Sequence, residues 1–361
     1  MQRLILRPSY PAPKHLHMTA KLNQRPFGLI QQHPATLYTL SNRNGMSVSV
    51  CDFGAIITSI QVPARHGVHE CVLGFEQAAD YAAPAYRAQY PYLGAVIGRH
   101  AGRIRQARAP LNGQILPLAA NHHGHQLHGG PVGFDSVPWH FAGSHCDDGG
   151  VEIRLSHRSA DGDQGYPGQL DVSVCYRLDQ HNALSVHFEA HSDADTLLNL
   201  TQHSYFHLGA PGSTVADHQL HINANHILAT NSELMPTGQL AAVAGTPLDF
   251  RQERAIATTA IDTAYVLPEY AQPLQHTAAH LHHPGSGINL KIHTDNPVLV
   301  VYNGGFLPKL AVPGRKSLQP YGGICFEAQG YTDAANHPEF PTNLLRAGEV
   351  YRRSTVYAFA W

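Results

Sequence analysis

Four separated stretches of the chain combine ionisable, aromatic and glycine residues where plain alternation would otherwise be expected. They are Gly98-Arg99-His100-Ala101-Gly102-Arg103-Ile104, Gln126-Leu127-His128-Gly129-Gly130, Leu200-Thr201-Gln202-His203-Ser204-Tyr205-Phe206 and Ile324-Cys325-Phe326-Glu327-Ala328-Gln329. Breaks of local pattern often mark function. Glu327 follows an apolar run, so its carboxyl is expected to be desolvated and its pKa raised toward neutrality. His203 follows the strand-like Leu197–Thr201 and should emerge from a buried element. Taken singly, Glu327 reads as an ion-pair partner of Arg103, and His203 as a core imidazole bonded to backbone. Together with Arg103 and His128 they form a set that can move protons on a neutral, hydroxyl-rich ligand.

Other chemistries fare worse. The chain holds 27 histidines, so a lone His is weak evidence. The clusters His122-His123-Gly124-His125 with His128, and His276, His280, His282 and His283, lack an HExxH or comparable ligand spacing. No metal is expected, and exposed turn histidines account for most of these positions. No GxSxG elbow is present, and Ser204 beside His203 in one strand would point to the opposite face. No Gly-rich phosphate loop opens a helix.

The elements that must carry these residues are strands. Glycine (32) and proline (25) punctuate the 361 residues heavily, which suits short strands joined by turns. Leu170, Val172, Val174, Tyr176 and Leu178 alternate, as do Leu184, Val186, Phe188 and Ala190 after a turn, which predicts a hairpin. Val151–Leu155 and Tyr351–Phe359 repeat the period of two, and Ala55–Val62, Ala95–Ile97, Leu197–Phe206, Val298–Tyr302 and Tyr321–Phe326 are further strand candidates. Well over a dozen strands are expected. Helical periodicity is confined to one or two turns around Glu76–Tyr81 and Ala255–Ile261. The fold class is therefore all-β, a single antiparallel sandwich over 21–361, with residues 1–20 as a loosely attached arm.

Apolar residues make up 43% and charged residues 14%, so a large core is affordable and disorder is excluded. The formal charge of -2 lacks the basic footprint of nucleic-acid or anionic-membrane binders. No apolar run is long enough to span a bilayer. The five cysteines are scattered, without CxxC, which fits a reducing, cytoplasmic location. The expected partner is a small neutral molecule.

With these segments in view, the chain resembles the aldose 1-epimerase (galactose mutarotase) family. The likeness rests on Gly54–Ile60, Gly98–Ile104, Gln126–Gly130 with Gly133-Phe134-Asp135, Gln202–Leu208, Pro247–Arg251, Asp262 with Tyr265, and Glu327–Gln329 followed by Asn336-His337-Pro338. It runs from about residue 28 to the end. The resemblance implies a twisted β-supersandwich and interconversion of the α and β anomers of a free aldose such as galactose or glucose. It implies Glu327 as base, His203 as acid, and Arg103, His128 and Asp262 as sugar ligands, with Tyr205 and Gly102 in the same pocket. No cofactor is implied, and the chain is expected to be a monomer or homodimer. Other readings are a non-catalytic sugar-binding or sensing protein on the same fold, a hexose-phosphate 1-epimerase and a metal-dependent hydrolase. Gly102 stands where the family usually has Asn, Gln202 where it has Asn, Ala328 where it has Pro, and Val300 where many members have Gln.

Overall fold

The alternation around residues 170–190 builds the hairpin it predicts: Leu170–Asp179 pairs antiparallel with Ala183–Ser192 in a continuous register. The computed structural model describes residues 20–361 except positions 66 and 313. The expected N-terminal arm, apart from its last residue, lies outside the described residues. Among those described, 28 strands are present and every ladder between them is antiparallel.

Three sheets dominate. The central hairpin lies within a nine-stranded sheet that continues through Val350–Ala360, Asn289–Thr294 and Ala279–His282. A six-stranded sheet runs in the order Tyr205–Phe206, Ile324–Gln329, Val298–Tyr302, Asp262–Val266, His226–Thr230 and Pro236–Ala242. A five-stranded meander covers Lys21 to Glu70. Side chains alternate between the faces of a strand. Leu299, Val301, Phe326 and Ala328 thus join Val174, Tyr176, Val186, Tyr357 and Phe359 of the large sheet in one buried core. The opposite face of the six-stranded sheet is left to line a cavity.

Two expectations need correction. Leu197–Phe206 is not one strand: Thr196–Leu197, Thr201–Gln202 and Tyr205–Phe206 pair with three different partners. His203 and Ser204 fall between the last two fragments, where the chain passes from Val96–Ile97 to Ile324–Cys325. The helical turn expected at Ala255–Ile261 is absent. Arg254–Ala255 forms a strand, Ala257 takes φ 53°, and the amides of Ile256 and Ala257 bond His218 O and Ala216 O. Tertiary partners for those amides override a weak local period. Near Glu76–Tyr81 short helical turns do occur, at Ala78–Ala82 and Pro84–Arg87.

Candidate active site

Glu327 lies on a strand whose residues 325, 327 and 329 face away from the core that holds Phe326 and Ala328. Its register neighbour is Val300, which in turn sits opposite Ala264; one row over, Cys325, Tyr302 and Asp262 are aligned in the same way. Strand alternation therefore delivers Glu327, Gln329, Val300, Tyr302 and Asp262 to one surface, and all five line a cavity of about 710 Å³. Gly102, Arg103, His128, His203 and Tyr205 line it as well, so every site residue expected from the sequence shares a single cavity.

His203 reaches the cavity from the crossover between strand fragments, held by its backbone N–H on Ala95 O and its carbonyl under the Gly94 amide. Its Nε2 stands 3.5 Å from Glu327 Oε1, and both side chains are buried. Burial, reinforced by the Asp262 charge and opposed by Arg103, pushes the Glu327 pKa up to about 8. Desolvation pushes His203 down to about 4. Between those limits the pair holds one proton. The expected alternative, an ion pair of Glu327 with Arg103, does not form among the described residues; Glu327 Oε2 and Arg103 Nε are both buried without a partner. Unpaired polar atoms of this kind are costly in a core and cheap in a binding site, where a ligand satisfies them.

His128 is positioned by a reciprocal clamp. The Gly102 amide donates to His128 Nδ1 at 3.2 Å, and the His128 amide donates to Gly102 O. A ring nitrogen that accepts from an amide cannot carry a proton, so His128 is neutral with its hydrogen on Nε2. Burial, with the nearby His203 and Arg103, drives its pKa well below 6.5 in agreement. Gly102 takes φ 78°, and a Cβ there would lie 2.9 Å from Thr332 Oγ1. Glycine meets this left-handed backbone without strain and leaves the Thr332 hydroxyl in place.

Sequence reasoning missed part of the wall. Arg87, Tyr90 and Tyr92 come from the short helical segment and the loop after it. Tyr92 packs its ring 4.8 Å from His128 and 5.9 Å from His203, from a backbone at φ 56°. No periodic signal marks it. Gln329 was findable, since it lies two residues beyond Glu327 on the same face. Its Oε1 is buried without a partner, while Nε2 donates to Thr332 Oγ1.

The histidine clusters are not mainly exposed turns, which corrects that expectation: of their members only His123 and His276 are exposed. Four of the others are held by local bonds: His125 Nδ1 accepts the Gln106 amide, His128 Nδ1 the Gly102 amide and His283 Nδ1 the Ser286 amide, while His280 lies against Glu253 and Asn289. Among the described residues, two groups bring ligand-type atoms within 4.8 Å of one another: His128, His203 and Glu327, and Asp217, His218 and His283. In the second group His218 Nε2 accepts the Leu208 amide and His283 Nδ1 accepts the Ser286 amide. The remaining nitrogens, 3.2 and 3.3 Å from Asp217, must carry hydrogens and donate to it. That group is a satisfied hydrogen-bond network.

Ser204 is not set up as a nucleophile, because its hydroxyl donates to Gln202 Oε1. No helix in the described residues is long and apolar enough to cross a membrane.

Residues 36–358 match the family model for aldose 1-epimerase. The aldose 1-epimerase of Escherichia coli (strain K12) is 35% identical over 352 residues, 94% of this chain and 99% of that protein. The galactose mutarotase of Sus scrofa is 35% identical over 325 residues, 87% of this chain and 91% of that protein. Among solved structures, a galactose 1-epimerase from Lactobacillus acidophilus NCFM superposes with a TM-score of 0.80 at 27% identity, covering 95% of this chain and 99% of that one. Family model, relatives and fold converge on one conclusion: the chain belongs to the aldose 1-epimerase family of isomerases.

Proposed function

We propose that this chain interconverts the α and β anomers of a free aldose by proton transfer between Glu327, His203 and the two oxygens on the anomeric carbon. Ring opening removes a proton from O1 while another is delivered to O5, so a base and an acid must flank one carbon together. With the shared proton on the imidazole, Glu327 draws the O1 proton and His203 protonates O5. Rotation about C1–C2 exposes the other face of the aldehyde, and reclosure runs both transfers backward. Atoms and charge balance over the cycle.

In this reading the remaining polar groups hold the sugar. His128 offers its Nε2–H, Arg103 an unpartnered Nε–H, and Asp262 a carboxylate acceptor. Tyr205 bounds the cavity below His203, with ring centres 5.2 Å apart. The observation that carries the proposal is the buried approach of His203 Nε2 to Glu327 Oε1 at the wall of the cavity. The five free thiols fit a reducing, cytoplasmic setting.

The test is polarimetry on freshly dissolved α-galactose and α-glucose, with and without a chelator, beside calorimetric titration of each sugar. Accelerated mutarotation that survives chelation is the expected result. Sugar binding without acceleration would replace the proposal by the non-catalytic reading, and chelator-sensitive activity would shift the chemistry to a cation held by His128, His203 and Glu327.

A further inference from the structure

Within the cavity, His128 and His203 differ in what faces Nδ1. His128 is held by a backbone amide, which can only donate. His203 Nδ1 instead meets the Cys325 thiol, with Sγ 3.5 Å away. A thiol has both a hydrogen and lone pairs, so it can donate to a neutral imidazole and accept from a protonated one. The surroundings keep it there. Cys325 is wholly buried, shares the cavity-side face of its strand with Glu327, and is the register partner of both Tyr205 and Tyr302.

We infer that Cys325 is a positioning residue for the reaction: its thiol directs the neutral His203 hydrogen to Nε2, facing Glu327 and the cavity, and turns acceptor when His203 is protonated. This deepens the acid and base reading given above and rests on it. Two consequences follow. His203 alone of the two histidines can alternate between imidazole and imidazolium without setting one N–H against another, which separates the acid from the sugar ligand. The thiol must also remain a thiol throughout. Burial, together with the Glu327 charge, holds Cys325 well above the usual cysteine range, so it is not a thiolate at any pH at which the pair works.

The role predicts a particular pattern of variants. Cys325→Ser keeps a donor and acceptor and should retain most activity. Cys325→Ala removes both, and kcat should fall about tenfold, the size of one net hydrogen bond, with KM within about twofold. Loss of a merely structural contact would lower thermal stability in both variants and leave kcat of the folded fraction unchanged. The spectroscopic readout does not depend on activity: the infrared S–H stretching band of Cys325, isolated as wild type minus Cys325→Ala or, should that variant not fold, wild type minus Cys325→Ser, should shift to higher frequency in His203→Asn. Wild-type kcat in folded Cys325→Ala, or an S–H band identical in wild type and His203→Asn, overturns the inference. Glu327→Gln and His203→Asn serve as parallel controls. If they lose activity while Cys325→Ala does not, only the positioning role fails; if they keep activity, the acid and base reading itself fails.

Discussion

At the scale of single residues, Glu327 and His203 share one proton, and their buried environments move their affinities past each other. Burial raises Glu327 to about 8 and lowers His203 to about 4, so the proton of the resting pair lies on the carboxyl. As pH falls through the lower value a second proton is added to His203, leaving no base. As pH rises through the upper value the last proton leaves Glu327, and no acid is left. The kcat/KM profile should therefore be flat between limbs near 4 and 8, which belong to the pair as a whole. A stopped-flow polarimetric profile checks this; activity that keeps rising beyond the upper limb would contradict it. Much of this was legible in the sequence, because an acidic residue directly after Ile324-Cys325-Phe326 is an obvious conflict with burial. The part that was not legible is the partner of each ring nitrogen. Gly102 and Cys325 are far from their histidines in sequence, and only the fold brings them close.

At the scale of elements, the period of two is what arms the site. The strand Ile324–Gln329 gives Phe326 and Ala328 to the core and Glu327 and Gln329 to the cavity, and its neighbour places Val300 opposite Glu327. An apolar residue at that register position supplies no donor to the carboxylate, which keeps Glu327 high. Val300→Gln offers an amide N–H to the charged form and should lower the Glu327 pKa by about one to two units. The alkaline limb would then move to lower pH, since the pair loses its last proton earlier. An unmoved or raised limb in the measured profile would count against this. The long alternating strands were readable from sequence for the same reason that they are regular: each has one partner on either side along its length. Leu197–Phe206 was misread because its fragments change partners, and changes of partner leave no trace in periodicity. The wall formed by Arg87, Tyr90 and Tyr92 was invisible for a different reason, since an irregular loop with positive φ at Tyr92 has no period to detect.

At the scale of the whole molecule, the sheets bring together groups that lie far apart along the chain. Arg103 comes from a small two-stranded ladder and His128 from the turn that follows its partner strand, His203 from the crossover, and Asp262 and Glu327 from the six-stranded sheet. The all-β class followed from turn residues and alternation. Which strands share a sheet, and that one face of the smaller sheet would be left open as a cavity wall, depends on long-range pairing that composition does not encode. Motif order, running over nearly the full chain, was the only feature in the sequence that pointed to this arrangement. If Glu327 and His203 act on one carbon as a unit, their losses cannot add. The most direct measurement is polarimetric kcat for Glu327→Gln, His203→Asn and the double variant. Each single change should cost about 10²- to 10⁴-fold, and the double variant should be no slower than the worse single. Independent losses that multiply in the double variant, or singles that retain wild-type rates, would contradict the account.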